Sequence, residues 1–250
     1  PTVPLCDLSA NGYSSQNSNG DEPLPKQSFY SWIVNGCTSL NLILGLCTVL
    51  LSCHGYCGWA ALCLLGSVVW DAADGFLARR WEVASEFGAQ LDSLADMTSF
   101  SVGGAVFVYG WLKPSVELWA LVPLACWCAL TGAWRLARFN ATPRSCGEFY
   151  GLPTTAVATL LAVGYLTCPL ISCIWLVSGV ALVATLMISP LPYPKFTRIV
   201  ELPRWLWLAL PLAGLFHLQW TVWLCAGFYL LTGPAIWLQR RCKPDLGVPS

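Results

Sequence analysis

From position 30 onward the chain alternates long apolar runs with short polar breaks. The runs predict helices near Tyr30–Cys53, Gly58–Arg79, Phe87–Tyr109, Val116–Phe139, Thr154–Thr167, Leu170–Ile188, Pro203–Phe216 and Leu218–Gln239. A membrane span takes about 20 apolar residues, so the fifth and seventh runs are short for the task. Cys168-Pro169 joins the fifth to the sixth, and His217 joins the seventh to the eighth. Residues 1–27 are rich in Pro, Ser, Asn, Gly and Asp, show no apolar period, and read as a polar, disordered N-terminal tail. The reading is therefore all-α, a polytopic transmembrane helical bundle of about eight spans over residues 28–240, with a short C-terminal tail at 241–250.

Composition agrees with that pattern. Hydrophobic residues make up 56% of the 250 and charged ones 10%, a profile no ordinary soluble domain shows. The formal net charge is zero, so nothing points to a nucleic-acid partner. An even number of spans puts both termini on one side, and twelve of the 13 basic residues then share it, only Lys113 falling opposite. The positive-inside rule makes that side cytoplasmic. Tryptophans such as Trp111, Trp119, Trp205 and Trp207 suit interfacial belts. The 13 cysteines are scattered through apolar runs without a paired zinc-type spacing, and buried cysteine behaves as a small hydrophobe. His54 and His217 fall on the side opposite most of the basic residues and take no chemical role.

Against this background, four carboxylates stand out: Asp71 and Asp74 near the end of the second run, and Asp92 and Asp96 near the start of the third. A charge within hydrocarbon costs roughly 2.5–3.5 kcal/mol on translocon scales, so intramembrane acids mark function by default. Spacings of three and four place each pair on one helix face. Two such faces packed together gather four like charges, which repel unless cations neutralise them. Clustered hard oxygen donors suit Mg²⁺, Mn²⁺ or Ca²⁺. The expectation is a divalent-metal site, with two ions. Arg79 lies eight residues beyond Asp71, about 12 Å of helix rise. The acids therefore sit a little below headgroup level.

The same stretch, Asp71-x2-Asp74-Gly75-x2-Ala78-Arg79-x8-Gly88-x3-Asp92-x3-Asp96, resembles the signature of the CDP-alcohol phosphotransferases at each of its fixed positions. Further segments resemble the phosphatidylserine synthase branch of that family. They are Asn35-x2-Thr38-x2-Asn41-x3-Gly45, Asp92-Ser93-x2-Asp96-x2-Ser99-Phe100, Arg135-x2-Arg138-Phe139-Asn140, Phe149-Tyr-Gly-Leu-Pro153 and Pro192-Tyr-Pro-Lys195-Phe196. The chain departs from the branch where Ser99-Phe100 runs into Ser101-Val102-Gly103-Gly104 with no proline, and where Lys195 comes early.

The resemblance implies phosphatidyl transfer from CDP-diacylglycerol to L-serine, giving phosphatidylserine and CMP, at a cytoplasmic-face site in a homodimer surrounded by membrane lipid. It implies that Asp71, Asp74, Asp92 and Asp96 are metal ligands, and that Asp96 is also the general base. Gly75, Ala78, Arg79, Gly88, Ser93, Asn35 and Thr38 would hold the CDP portion. Arg135, Arg138, Asn140 and Lys195 would hold the acceptor or a lipid phosphate. On spacing alone the two arginines fit equally well as interface anchors. Other readings stay open: the same chemistry with inositol phosphate, glycerol phosphate or choline, or a divalent-cation transporter using the acids as its ion site.

Overall fold

The first break in the helical rods comes at Gly55, whose φ of +81° reverses the chain within three residues. Before it runs α1 (Pro25–Cys53), and after it α2 (Cys57–Trp81). The computed structural model describes residues 25–83, 85–141, 149–167, 173–189 and 192–193. Residues 25–27, expected in the tail, instead open α1; residues 1–24, the seventh and eighth runs, His217 and Lys195 lie outside the described residues.

Arg79 and Arg80 sit in the last turn of α2, where cations complement the helix dipole. The helix closes at Glu82, in the left-handed conformation with φ 54°, whose N–H donates to the Ala78 carbonyl. Ser85 then caps α3 (Glu86–Asp96): its Oγ accepts from the Gly88 N–H at 3.0 Å, with Glu86 in the first turn. The rod continues as a π-helical segment, Met97–Val102, and as α4 (Gly103–Leu112). Next come α5 (Leu118–Ala141), β1 (Phe149–Tyr150), α6 (Thr154–Thr167), α7 (Cys173–Ile188) and β2 (Pro192–Tyr193).

Among the described residues, three helices, Ser28–Cys53, Cys57–Trp81 and Leu118–Ala141, are long and apolar enough to cross a membrane, and α6 and α7 are shorter apolar helices. The third expected span begins one residue earlier than expected, at Glu86, and carries Asp92 and Asp96 where the sequence placed them. Its helix also changes register, from α to π to α, where a uniform α-helix was expected.

α1 runs alongside α2 and also touches α3, the π segment and α4. α6 lies against α2, and α7 against α5. The core between them is made by Ala60, Ala61 and Leu64 of α2, Phe107 and Val108 of α4, and Ala158 and Ala162 of α6. Small residues on α2 and α6 let backbones approach, the usual means of packing helices in lipid. Large apolar side chains such as Trp32, Ile43, Trp59, Val69, Phe76, Trp119 and Trp175 point outward. Outward apolar groups are what a lipid-facing surface requires.

β1 and β2 form a two-residue antiparallel ribbon, pairing Phe149 with Tyr193 and Tyr150 with Pro192. The ribbon ties together the two proline-containing segments singled out in the sequence. Gly151 follows with φ +85°, pressed so closely on the Met187 carbonyl that no Cβ would fit. Leu152 behind it is fully buried against Met187.

Candidate active site

Asp71 and Asp74 project from α2, and Asp92 from α3, into one volume. One carboxylate oxygen from each lies within 4.8 Å of the others. The spacing of three on α2 and the cap that starts α3 at Ser85 together put these side chains opposite one another. The Asp96 carboxyl group lies within hydrogen-bond reach of Asp71, at the edge of the trio.

α1 supplies the donors. Thr38 Oγ1, only 2% exposed, donates to Asp74 Oδ2 at 2.6 Å. Asn41 Nδ2, one turn further, donates to Asp96 Oδ1 at 3.4 Å. The sequence reading assigned Thr38 to the CDP portion; in the structure its hydroxyl meets Asp74. The role of Asn41 at Asp96 was not assigned, although it repeats the polar face of Asn35 and Thr38 at helical spacing.

A divalent ion fits these residues. The donors are hard carboxylate oxygens, they converge from two helices, and Asp92 Oδ1 is buried with no hydrogen-bond partner among the described residues. A buried carboxylate oxygen without a donor is costly unless a cation meets it.

The other expected residues distribute as follows. A side chain at Gly75 would come to 3.4 Å from the Arg79 guanidinium, so the absence of one keeps the backbone beside Arg79 open. A Cβ at Gly88 would sit 3.3 Å from Asn35 Oδ1 and 3.0 Å from Ser85 Oγ, so Asn35 and Gly88 are neighbours. Ala78 is half-buried, and its carbonyl closes α2. Ser93 and Asn140 meet each other, Asn140 Nδ2 donating to Ser93 Oγ at 3.1 Å, and so join α3 to the end of α5.

The two arginines separate. Arg135 places its charge where Asp71 feels it, donates to Thr154 Oγ1 at 3.3 Å, and lies over the Phe139 ring at 5.9 Å. Arg138 donates to the Ile188 carbonyl at 3.1 Å and lies beside Gly151, which ties α5 to the end of α7. Thr154 as the neighbour of Arg135 was not foreseen. It opens α6, far along the chain, and nothing local signals the contact.

A family model described as CDP-alcohol phosphatidyltransferase matches residues 32–191. That range takes in every candidate site residue named above except Lys195. Among similar proteins, a CDP-diacylglycerol–serine O-phosphatidyltransferase of Methanocaldococcus jannaschii is 38% identical over 160 residues, covering 64% of this chain and 72% of that one. An archaetidylserine synthase of Methanothermobacter thermautotrophicus is 34% identical over 160 residues, covering 62% and 66%. A CDP-diacylglycerol–serine O-phosphatidyltransferase of Bacillus subtilis is 30% identical over 143 residues, covering 56% and 76%.

Proposed function

The chain belongs to the CDP-alcohol phosphatidyltransferase family, and from that premise we propose that it transfers a phosphatidyl group from CDP-diacylglycerol to L-serine, releasing CMP. The observation that carries this reading is the meeting of the Asp71, Asp74 and Asp92 carboxylates, with Asp96 beside Asp71, on two helices of a membrane protein. Relatives named for serine transfer, at up to 38% identity, support serine as the acceptor.

In the proposed step, the serine hydroxyl oxygen bonds to the phosphorus that carries the diacylglycerol. The bond from that phosphorus to the CMP phosphate breaks, and CMP leaves with the electron pair. Asp96 takes the hydroxyl proton. Asp71, Asp74, Asp92 and Asp96 would hold divalent ions, Mg²⁺ or Mn²⁺, two of them in the proposed site. Bound there, such ions would neutralise charge on the leaving pyrophosphate oxygen. Gly75 and Gly88, without side chains, admit the nucleotide to the α2 and α3 backbones, Arg79 meets a phosphate, and Asn35, Ala78 and Ser93 border the same face.

Arg135 receives the serine carboxylate in a two-pronged contact, oriented by Thr154. Arg138, Asn140 and Lys195 serve the acceptor side, Arg138 by fixing the end of α7. Arg79, Arg80, Arg135 and Arg138 at the ends of their helices favour a cytoplasmic-face site. A homodimer is the assembly the family resemblance supports.

The test is CMP release by purified protein in liposomes containing CDP-diacylglycerol, offered serine, inositol phosphate, glycerol phosphate or choline. Serine alone should release CMP, and Asp96→Asn should release none while still inserting and purifying. Release with a different alcohol in place of serine would overturn the acceptor assignment. Full activity in Asp96→Asn would overturn the base.

A further inference from the structure

We propose that Asn41 is the positioning residue for Asp96: its side-chain amide holds the carboxylate at the reaction centre, and its backbone carbonyl anchors the helix turn that follows. This deepens the reading of Asp96 as the base and rests on it. Asn41 is fully buried on α1. Its Nδ2 donates to Asp96 Oδ1, and its main-chain carbonyl accepts the Ser99 hydroxyl at 3.0 Å. One residue thus grips the third rod at two points a turn apart.

Two independent observations support a role beyond packing. The first is that Asn41 Oδ1 has no hydrogen-bond partner among the described residues although it is buried. Buried polar atoms are nearly always paired, and an exception calls for an explanation. An asparagine kept only for packing would be replaced at no loss by an apolar residue of similar size. An asparagine kept for its amide donor has to tolerate the idle oxygen, because an ionised carboxylate only accepts.

The second is the π segment, which begins immediately after Asp96. Its wider turn is set where the rod meets α1, and Gly103 N–H reaches back five residues to the Thr98 carbonyl. Such segments recur at functional sites. Here the register change falls between the reacting carboxylate and the apolar half of the same rod, so the first half is aimed independently of the second. The contact at Gly45 allows this: a Cβ there would strike Ser99, so α1 and the π segment touch backbone to backbone.

The experiment uses the full chain in liposomes and compares Asn41→Leu, Asn41→Ala and Asn41→Gln. Leucine approximates the size, and leucine and alanine both lack the donor; glutamine keeps it. The expected result is a fall in kcat of about 10- to 100-fold for Leu and Ala, the usual range for a group supporting a ligand or base. KM for both substrates and Mn²⁺ binding at the Asp71–Asp74–Asp92 trio, followed by electron paramagnetic resonance, stay at wild-type values. Glutamine recovers part of kcat. Alanine, small and a good helix former, decides the matter where leucine fails to insert.

Wild-type kcat in Leu and Ala overturns the proposal. So does a loss in which KM rises and Mn²⁺ binding at the Asp71–Asp74–Asp92 trio weakens in step with the fall in kcat, since that is the signature of a scaffold residue. Asp96→Asn is run beside them. If that variant is active, the base reading fails. If it is dead while the Asn41 variants run normally, only the present proposal fails.

Discussion

Replacing Gly45 with alanine tests whether the site depends on how closely α1 approaches the third rod. A Cβ at this position would lie 2.5 Å from Ser99 Cα and 2.6 Å from Ser99 Cβ. Carbon atoms rest about 3.5–4.0 Å apart, so alanine forces a separation of about 1 Å. The obstacle is backbone and Cβ, which cannot rotate away. Ser99 is one turn beyond Asp96, and the Asn41-to-Asp96 hydrogen bond is already 3.4 Å long. A further ångström takes it outside hydrogen-bond range. Overpacking of this kind costs about 1–3 kcal/mol, which a bundle of this size survives. A reacting group displaced by about 1 Å loses about 100-fold in rate. Gly45→Ala should therefore insert and purify, yet release CMP with kcat lowered by about two orders of magnitude. Gly36→Ala, on the same helix, is the control, because a Cβ there meets nothing within 4 Å. It should match wild type and gain about 0.5–1 kcal/mol of helix stability. The readout is CMP release at saturating CDP-diacylglycerol and serine, with thermal unfolding in detergent run alongside. Equal kcat for the two alanine variants would refute the argument.

Two further outcomes follow from the donor set. Thr38→Val keeps the side-chain shape and removes the hydroxyl that donates at 2.6 Å to Asp74 Oδ2; the Mn²⁺ concentration for half-maximal activity should rise about 10- to 100-fold, and an unchanged requirement would show the hydroxyl idle. Chelation with EDTA should stop CMP release and added Mn²⁺ or Mg²⁺ should restore it, because no donor among the described residues meets Asp92 Oδ1 in place of a cation; turnover that survives chelation would count against the site as drawn.

Most of the helices were legible from apolar runs alone. The fifth run was expected at Thr154–Thr167 and is found there, because Pro153 and Cys168-Pro169 bracket it. The first ends at Cys53 as expected, since Gly55 cannot be followed by more helix in its positive-φ state. The acidic face was legible because spacings of three and four are a property of one helix at a time. What escaped depends on contacts between rods. The π segment carries no local mark, as Met97–Val102 would serve as ordinary α-helix by composition. Its register answers to Gly45 and Asn41 on another helix. The β1–β2 pairing joins residues separated by α6 and α7, and no pattern within either dipeptide announces it. The separation of Arg135 from Arg138 also depends on where Thr154 and Ile188 arrive.

The acids receive the attention in a sequence of this kind, but they do not organise themselves. Four carboxylates crowd together on α2 and α3, and among the described residues of these two helices only the Asp71–Asp96 contact joins the two acidic faces. α1 holds them together. Thr38, Asn41 and Gly45 recur at steps of three and four on one face. Each meets a different part of the site: Thr38 reaches Asp74 on α2, Asn41 reaches Asp96 on α3, and Gly45 lets the π segment close on the α1 backbone. The face presents a hydroxyl donor, then an amide donor, then no side chain at all. An apolar residue at either of the first two positions would leave a carboxylate without its donor, and any side chain at the third would separate the rods. The geometry of the acids is therefore set by a helix that contributes no acid to it, and variation along α1 should alter activity as strongly as variation among the acids' immediate neighbours.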